Sequence, residues 1–197
     1  MSDTATYALY AAIGVGVLLL ISLVVMYNRF VRQRTHVDES WGGIDVELTR
    51  RHQLVPSLVE TVRGYAAYEQ AVLDELVRAR EAATAHQADR PKAREGYEDA
   101  VGGAIATVLA RAEAYPDLKA SANFLQLQAE LTNTEDRIAA ARRFYNGNVR
   151  AYNTRVKTFP SNLVAAVFRF RPQEFFEIRD QVARVAPGVR FEAPPPA

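Results

Sequence analysis

The pattern of apolar and polar positions changes character along the chain. Residues 7–27 (YALYAAIGVGVLLLISLVVMY) contain no charged side chain. About 20 apolar residues in a helix rise ~30 Å, the thickness of the bilayer hydrocarbon core. Beyond this run the pattern turns periodic. Val37, Trp41, Ile44, Leu48, Arg51, Val55, Leu58, Val62 and Tyr65 alternate by four and three, with Arg51 the one polar member. This spacing predicts a helix over 29–66, continuous with the apolar run or separate from it. Pro56 lies inside it and brings no N–H, so a kink or break is expected there. Shorter helices are predicted over 68–86 and 92–114, and Tyr115-Pro116-Asp117 breaks the chain. A long last helix is predicted over 118–159. Its stripe of Phe124, Leu127, Leu131, Thr134, Ile138, Ala141, Tyr145, Asn148, Tyr152, Arg155 and Phe159 again alternates by three and four.

No strand pattern competes before residue 160. The expected fold is all-α: an N-terminal single transmembrane helix, then an antiparallel up-and-down bundle of about four long helices, the middle two shorter. The expected divisions are an anchor at 1–28, the bundle at 29–160, an aromatic-rich, partly helical segment at 161–186, and a disordered Pro-rich tail at 187–197. A small helix is expected near Pro172 to Val185.

A cleavable secretion signal needs a basic start, about 7–15 apolar residues and a small-residue cleavage site. Here Asp3 is the only charge before the run, and the run ends in Met26-Tyr27-Asn28-Arg29. An uncleaved anchor is therefore expected. Arg29, Arg32 and Arg34 follow it and no Lys or Arg precedes it, so the N-terminus is expected outside and residues 29–197 in the cytoplasm. Ala8, Ala12 and Gly16 share one face and suit helix pairing, although small residues are also common in membrane spans.

Leaving the membrane, the first helix is expected to end about 55 Å away, and the last to return about 60 Å. The return brings residues 160–176 back to the bilayer. Phe168, Phe170, Phe175 and Phe176, with Arg169 and Arg171, then have two candidate places: the membrane interface, which favours aromatic and basic residues together, or the bundle surface.

Composition narrows the chemistry. With 24 Lys and Arg against 23 Asp and Glu, the net charge is +1, which does not point to a nucleic-acid partner. Without cysteine there is no disulfide, thiolate or cysteine-built zinc site. His36, His52 and His86 form no HExxH pattern and read as surface or seam residues; His36 and Glu39 share a face but are too few for a metal site. Gly102-Gly103 inside a predicted helix reads as close packing or a weak point. No catalytic, cofactor-binding or metal-binding residue is expected, and no cofactor. The unusual residues are the polar seam members Arg51, Asn148 and Arg155. A buried guanidinium needs partners; Glu60, Glu130, Glu135 and Asp136 are candidates. Register fixation or a wet seam edge is one role, and a ligand or proton site in the core is another.

Two long blocks carry a family resemblance: YNRFVRQRTHVDESWGGIDVELTRRHQLVPSLVETVRGYAAYE at 27–69, and AYPDLKASANFLQLQAELTNTEDRIAAARRFYNGNVRAYNTRVKTFPSNLVA at 114–165. With the FRF and FFE elements near the C-terminus, they resemble the LemA family of bacterial membrane-anchored helical proteins. Gly42-Gly43 and Gly147-Asn148 depart from the better helix formers usual there. The resemblance implies one N-terminal span and a bundle of about four helices, and it assigns no reaction and no site residue. The expected function is a membrane-tethered, non-enzymatic interaction or scaffold protein; the alternative is a self-assembling or membrane-shaping protein. Expected partners are the lipid bilayer through residues 7–27 and proteins of unknown identity, with a homo-oligomer left open.

Overall fold

A computed structural model of the chain describes residues 2–64 and 70–177. These are helical throughout, apart from short turns and an extended stretch after residue 169. The helices are α1 (Ser2–Arg63), α2 (Gln70–Ala85), α3 (Pro91–Ala112), α4 (Pro116–Lys119), α5 (Ala122–Lys157) and α6 (Ser161–Val167). Two compact units share the two long helices: residues 1–46 with 140–175, and residues 47–139 with 176–197.

The apolar run and the periodic segment form one helix. Residues 7–25 of α1 expose their side chains, and the helix is long and apolar enough to cross a membrane. The helix does not break at Pro56. Proline leaves the carbonyl four residues earlier without its helical donor. That carbonyl belongs to His52, and Arg80 Nε of α2 donates to it at 2.9 Å. The side chain replaces the missing N–H, so the helix continues.

In the second unit, residues 47–63 of α1, α2, α3, α4 and residues 122–139 of α5 surround one core. Leu58 and Val62 meet Leu73 and Leu76 of α2, Ile105 and Val108 of α3, Leu118 of α4 and Leu131 of α5, each almost fully buried. Burying such a side chain stabilises the fold by ~1.5–3 kcal/mol. The predicted last helix starts late because Pro116, preset for a first helical turn, begins the separate turn α4. This turn closes where the Ala120 N–H donates to Pro116 O.

In the first unit, α1 pairs antiparallel with residues 140–157 of α5. Phe30, Val37 and Ile44 are buried on α1, and Tyr145, Val149 and Tyr152 on α5. Trp41 meets Tyr145 at 5.4 Å and Phe30 meets Tyr152 at 6.2 Å between ring centroids. Phe159, predicted on the stripe, is 74% exposed because α5 stops at Lys157.

The small helix expected at 172–185 is not found over its described part; residues 170–177 are not helical, and 178–185 lie outside the described residues. The reason is local. Pro172 favours extended geometry at Arg171. Asn153 then holds Gln173 by a reciprocal pair: Gln173 N–H donates to Asn153 Oδ1, and Asn153 Nδ2 donates to Gln173 O, both at 2.8 Å. The Tyr145 hydroxyl donates to Glu174 O at 2.8 Å. Side chains of α5 take the backbone groups that a helix would have used. Tyr65 and the tail expected at 187–197 lie outside the described residues.

Candidate functional site

The most concentrated chemistry lies inside the second unit. Arg51 of α1 is fully buried. Its Nη2 donates to Glu98 Oε2 at 2.6 Å and to the Glu98 carbonyl at 3.0 Å. Its Nη1 donates to Glu135 Oε1 and Oε2 at 3.2 and 3.3 Å. His52 Nε2 lies 3.1 Å from Glu98 Oε2, and Arg94 Nη2 lies 3.3 Å from Glu98 Oε1. One carboxylate of α3 thus collects two donors from α1 and one from its own preceding turn. One guanidinium ties α1 to both α3 and α5. Gly102, one turn after Glu98, lies beside the guanidinium; a Cβ there would meet Arg51 Nη1 at 3.5 Å, an ordinary van der Waals contact.

Burial alone would raise the Glu98 pKa. The hydrogen bond from His52 and the positive charge of Arg51 prevail and hold it at about 2. An ionised carboxylate only accepts, so His52 Nε2 carries the proton of that contact. Glu98 stays charged at neutral pH and its oxygens are occupied by protein donors. The cluster thus joins α1, α3 and α5 through charge-assisted hydrogen bonds, the arrangement a buried guanidinium needs.

In the first unit, aromatic rings gather where the apolar run ends. Tyr27 meets Phe168 at 4.9 Å and Phe170 at 5.7 Å, and Phe170 stacks on Phe30 at 4.8 Å. Phe168 and Phe170 therefore pack on α1 and do so at the last residue of that run. Phe175 is partly exposed, whereas Phe176 is fully buried and has no surface to offer a membrane. Of the two places left open for Phe176, the membrane interface is thereby excluded.

The other seam residues separate. Asn148 is half-buried and donates weakly from Nδ2 to His36 O at 3.4 Å. Arg155 is half-buried, and its Nη1 lacks a hydrogen-bond partner among the described residues. His36 contacts Glu39 in the open at 3.2 Å. His86 Nδ1 donates to Ala82 O at 2.8 Å and stacks on Tyr97. No group of three or more metal-ligating side chains occurs among the described residues.

Residues 40–191 match the LemA family. The chain belongs to the LemA family. Protein LemA of Metamycoplasma hominis is 28% identical over 140 residues, which cover 70% of this chain and 63% of that protein. Magnetosome protein MamQ 2 of Paramagnetospirillum magneticum is 23% identical over 180 residues, and Magnetosome protein MamQ of Magnetospirillum gryphiswaldense 22% over 179. Each of the latter alignments covers 79% of this chain and 66% of the relative. The chain thus spans 63–66% of the length of these curated relatives.

In this LemA-family chain, Arg51 was visible in the sequence as the polar member of an apolar stripe. Of its four candidate partners only Glu135 bonds to it. Glu98 was missed, although the signal was there: Arg94, Glu98, Val101, Ile105, Val108 and Ala112 alternate by four and three, and all six are buried. His52, read as an ordinary surface or seam residue, belongs to the cluster.

Proposed function

We propose that this LemA-family protein is a membrane-tethered interaction or scaffold protein that performs no catalysis of its own. One observation supports the reading above the others. The apolar, exposed stretch at 7–27 and the helix that enters the buried core of the second unit are the same helix. A bilayer segment is thereby continuous with a folded helical surface rather than joined to it by a linker. The three arginines that follow the run favour the N-terminus outside and the remainder in the cytoplasm.

The test is photo-crosslinking in cells from the exposed Val46 and Phe144, which are 65% and 66% exposed. The expected result is a small set of discrete adducts with other proteins. The absence of any adduct overturns the scaffold reading. Adducts with a second copy alone favour the alternative, a self-assembling or membrane-shaping protein. That second reading has its own support: Ala8, Ala12 and Gly16 are all exposed on α1, a small-residue face of the kind that lets membrane helices approach closely.

A further inference from the structure

The formal charge of +1 conceals a sharp partition. Residues 27–37 and 149–173 together hold eight Arg and Lys and no Asp or Glu. The rest of the chain therefore carries a formal charge of −7. The fold places these two segments side by side, through Phe30 on Tyr152 and through Phe168 and Phe170 on Tyr27. The pairing is antiparallel, so Arg155 falls within a turn of Arg29. Burial, and then the charge of Arg29, push Arg155 below its ordinary pKa. Two cations are thus held close together at the end of the apolar run, and Nη1 of Arg155 is unpartnered among the described residues.

The same end presents apolar side chains outward. Phe159, Leu163 and Val167 are 74%, 58% and 73% exposed, while Val164 and Ala165 on the other side of α6 are buried. Leu163 and Val167 stand one turn apart on α6, directly before the Phe168 ring that touches Tyr27.

Arg169 adds an independent sign. Its φ is 59°, in the left-handed region. Phe170 N–H donates to Ala165 O at 2.9 Å and Arg169 N–H to Ala166 O at 3.4 Å, the closing pattern of a helix that usually ends in glycine. A large cationic residue occupies a position where glycine is less strained. Strain of this kind persists only where the surrounding structure holds it.

We propose that this anchor-proximal surface, α6 with Arg155 and Arg169 beside Tyr27 and Phe168, seats on the bilayer that α1 crosses and binds anionic phospholipid headgroups. The proposal rests on the membrane-tether reading. Leu163 and Val167 enter the interfacial layer, and the arginines meet the headgroup phosphates and carboxylates. The two segments that build this surface hold eight cations and no carboxylate, the nearest carboxylates, Asp38 and Glu174, lying just beyond their ends, and that excess complements an anionic headgroup layer.

The chain has no cysteine, so a single Val167→Cys accepts a polarity-sensitive dye at one place. The full-length labelled chain is reconstituted into vesicles of phosphatidylcholine alone or with phosphatidylglycerol, and brominated lipids of each kind serve as quenchers. Expected are a blue-shifted dye and a preference for brominated phosphatidylglycerol that falls about five-fold for each cation neutralised, the factor that ~1 kcal/mol per basic residue implies. Two variants are compared. Arg155→Gln removes the half-buried cation; Arg169→Gly removes the exposed one while relaxing its backbone, so a loss of preference there cannot be a folding defect. Failure of the chain to float with vesicles overturns the tether reading itself. Flotation with a dye equally quenched by both lipids, or unchanged in both variants, overturns the headgroup proposal alone. Inorganic phosphate abolishing the preference at constant ionic strength would mark a small-anion site and also overturn it.

Discussion

Glu98 is the residue through which most of the interior charge passes, and its depressed pKa makes it a sensor of acid stability. The group ionises at 4.5 when unperturbed and at about 2 in the fold. A depressed carboxylate stabilises the fold above its unfolded pKa, and that contribution disappears as pH falls from 4.5 toward 2. The shift corresponds to ~3 kcal/mol. Urea unfolding of the full chain in detergent, followed by circular dichroism, should therefore show a falling midpoint between pH 5 and pH 3. Glu98→Gln should flatten that slope. It should also lower stability at pH 7 by ~3–5 kcal/mol, because Arg51 is left buried opposite an uncharged amide. Arg51→Met should destabilise by a similar amount. Combining it with Glu98→Leu should cost clearly less than the sum of the two single changes, since the cluster acts as a unit. Additive losses would mean that the two side chains do not share their burial. At this scale the sequence revealed the anomaly and one of its partners, Glu135, but not Glu98. Arg51 stood out against an apolar stripe, but whether Glu98 faced it depended on the rotation of α3.

Helices were legible wherever one face was buried over several turns, because burial imposes the three-four spacing directly on the residues. The sequence was less informative where a side chain substitutes for a backbone partner. Pro56 should disrupt a helix, yet α1 continues because Arg80 donates to the His52 carbonyl. The stretch at 170–177 is rich enough in Phe to suggest a buried helix, yet Asn153 and Tyr145 hold it extended. Neither substitution has a local signature, since the partners lie 28 and 20 residues apart in sequence. The Pro56 account is directly testable. Arg80→Met should destabilise by ~1–3 kcal/mol, the penalty of an unsatisfied carbonyl. In a Pro56→Ala background the restored N–H supplies the donor, so the same Arg80→Met change should have an effect near zero. Equal losses in both backgrounds, measured by thermal unfolding in detergent, would show that Arg80 contributes by packing alone. Gly147 offers a simpler check on the helical register. It is exposed within α5, and a Cβ there meets nothing within 4 Å. Gly147→Ala should raise stability by ~0.5–1 kcal/mol through the restricted unfolded chain and better helix propensity.

For the molecule as a whole, the decisive property is how charge is distributed around the apolar run. A net charge of +1 indicates no electrostatic character. Grouped by fold rather than by sum, the two segments that pair beside residue 27 hold eight of the 24 cations and none of the 23 carboxylates. This is the asymmetry that orients a membrane helix, because positive residues near its end are retained on the cytoplasmic side. The sequence displayed Arg29, Arg32 and Arg34 at once; it did not show that Arg155 and Arg169 join them, because that depends on α5 returning antiparallel along α1. With the cations of both segments acting together, the orientation should be robust to single changes. A chain carrying Asp3→Cys should react in intact cells with a membrane-impermeant maleimide, whereas one carrying Val46→Cys should react only after lysis. Neutralising Arg29, Arg32 and Arg34 together, with the returning cations left in place, should preserve that pattern in most molecules if Arg155 and Arg169 reinforce the bias. Inversion of the labelling by the triple change alone would mean that orientation is set before α5 reaches the membrane. Labelling at Val46 in intact wild-type cells would place the folded part outside and reverse the assignment.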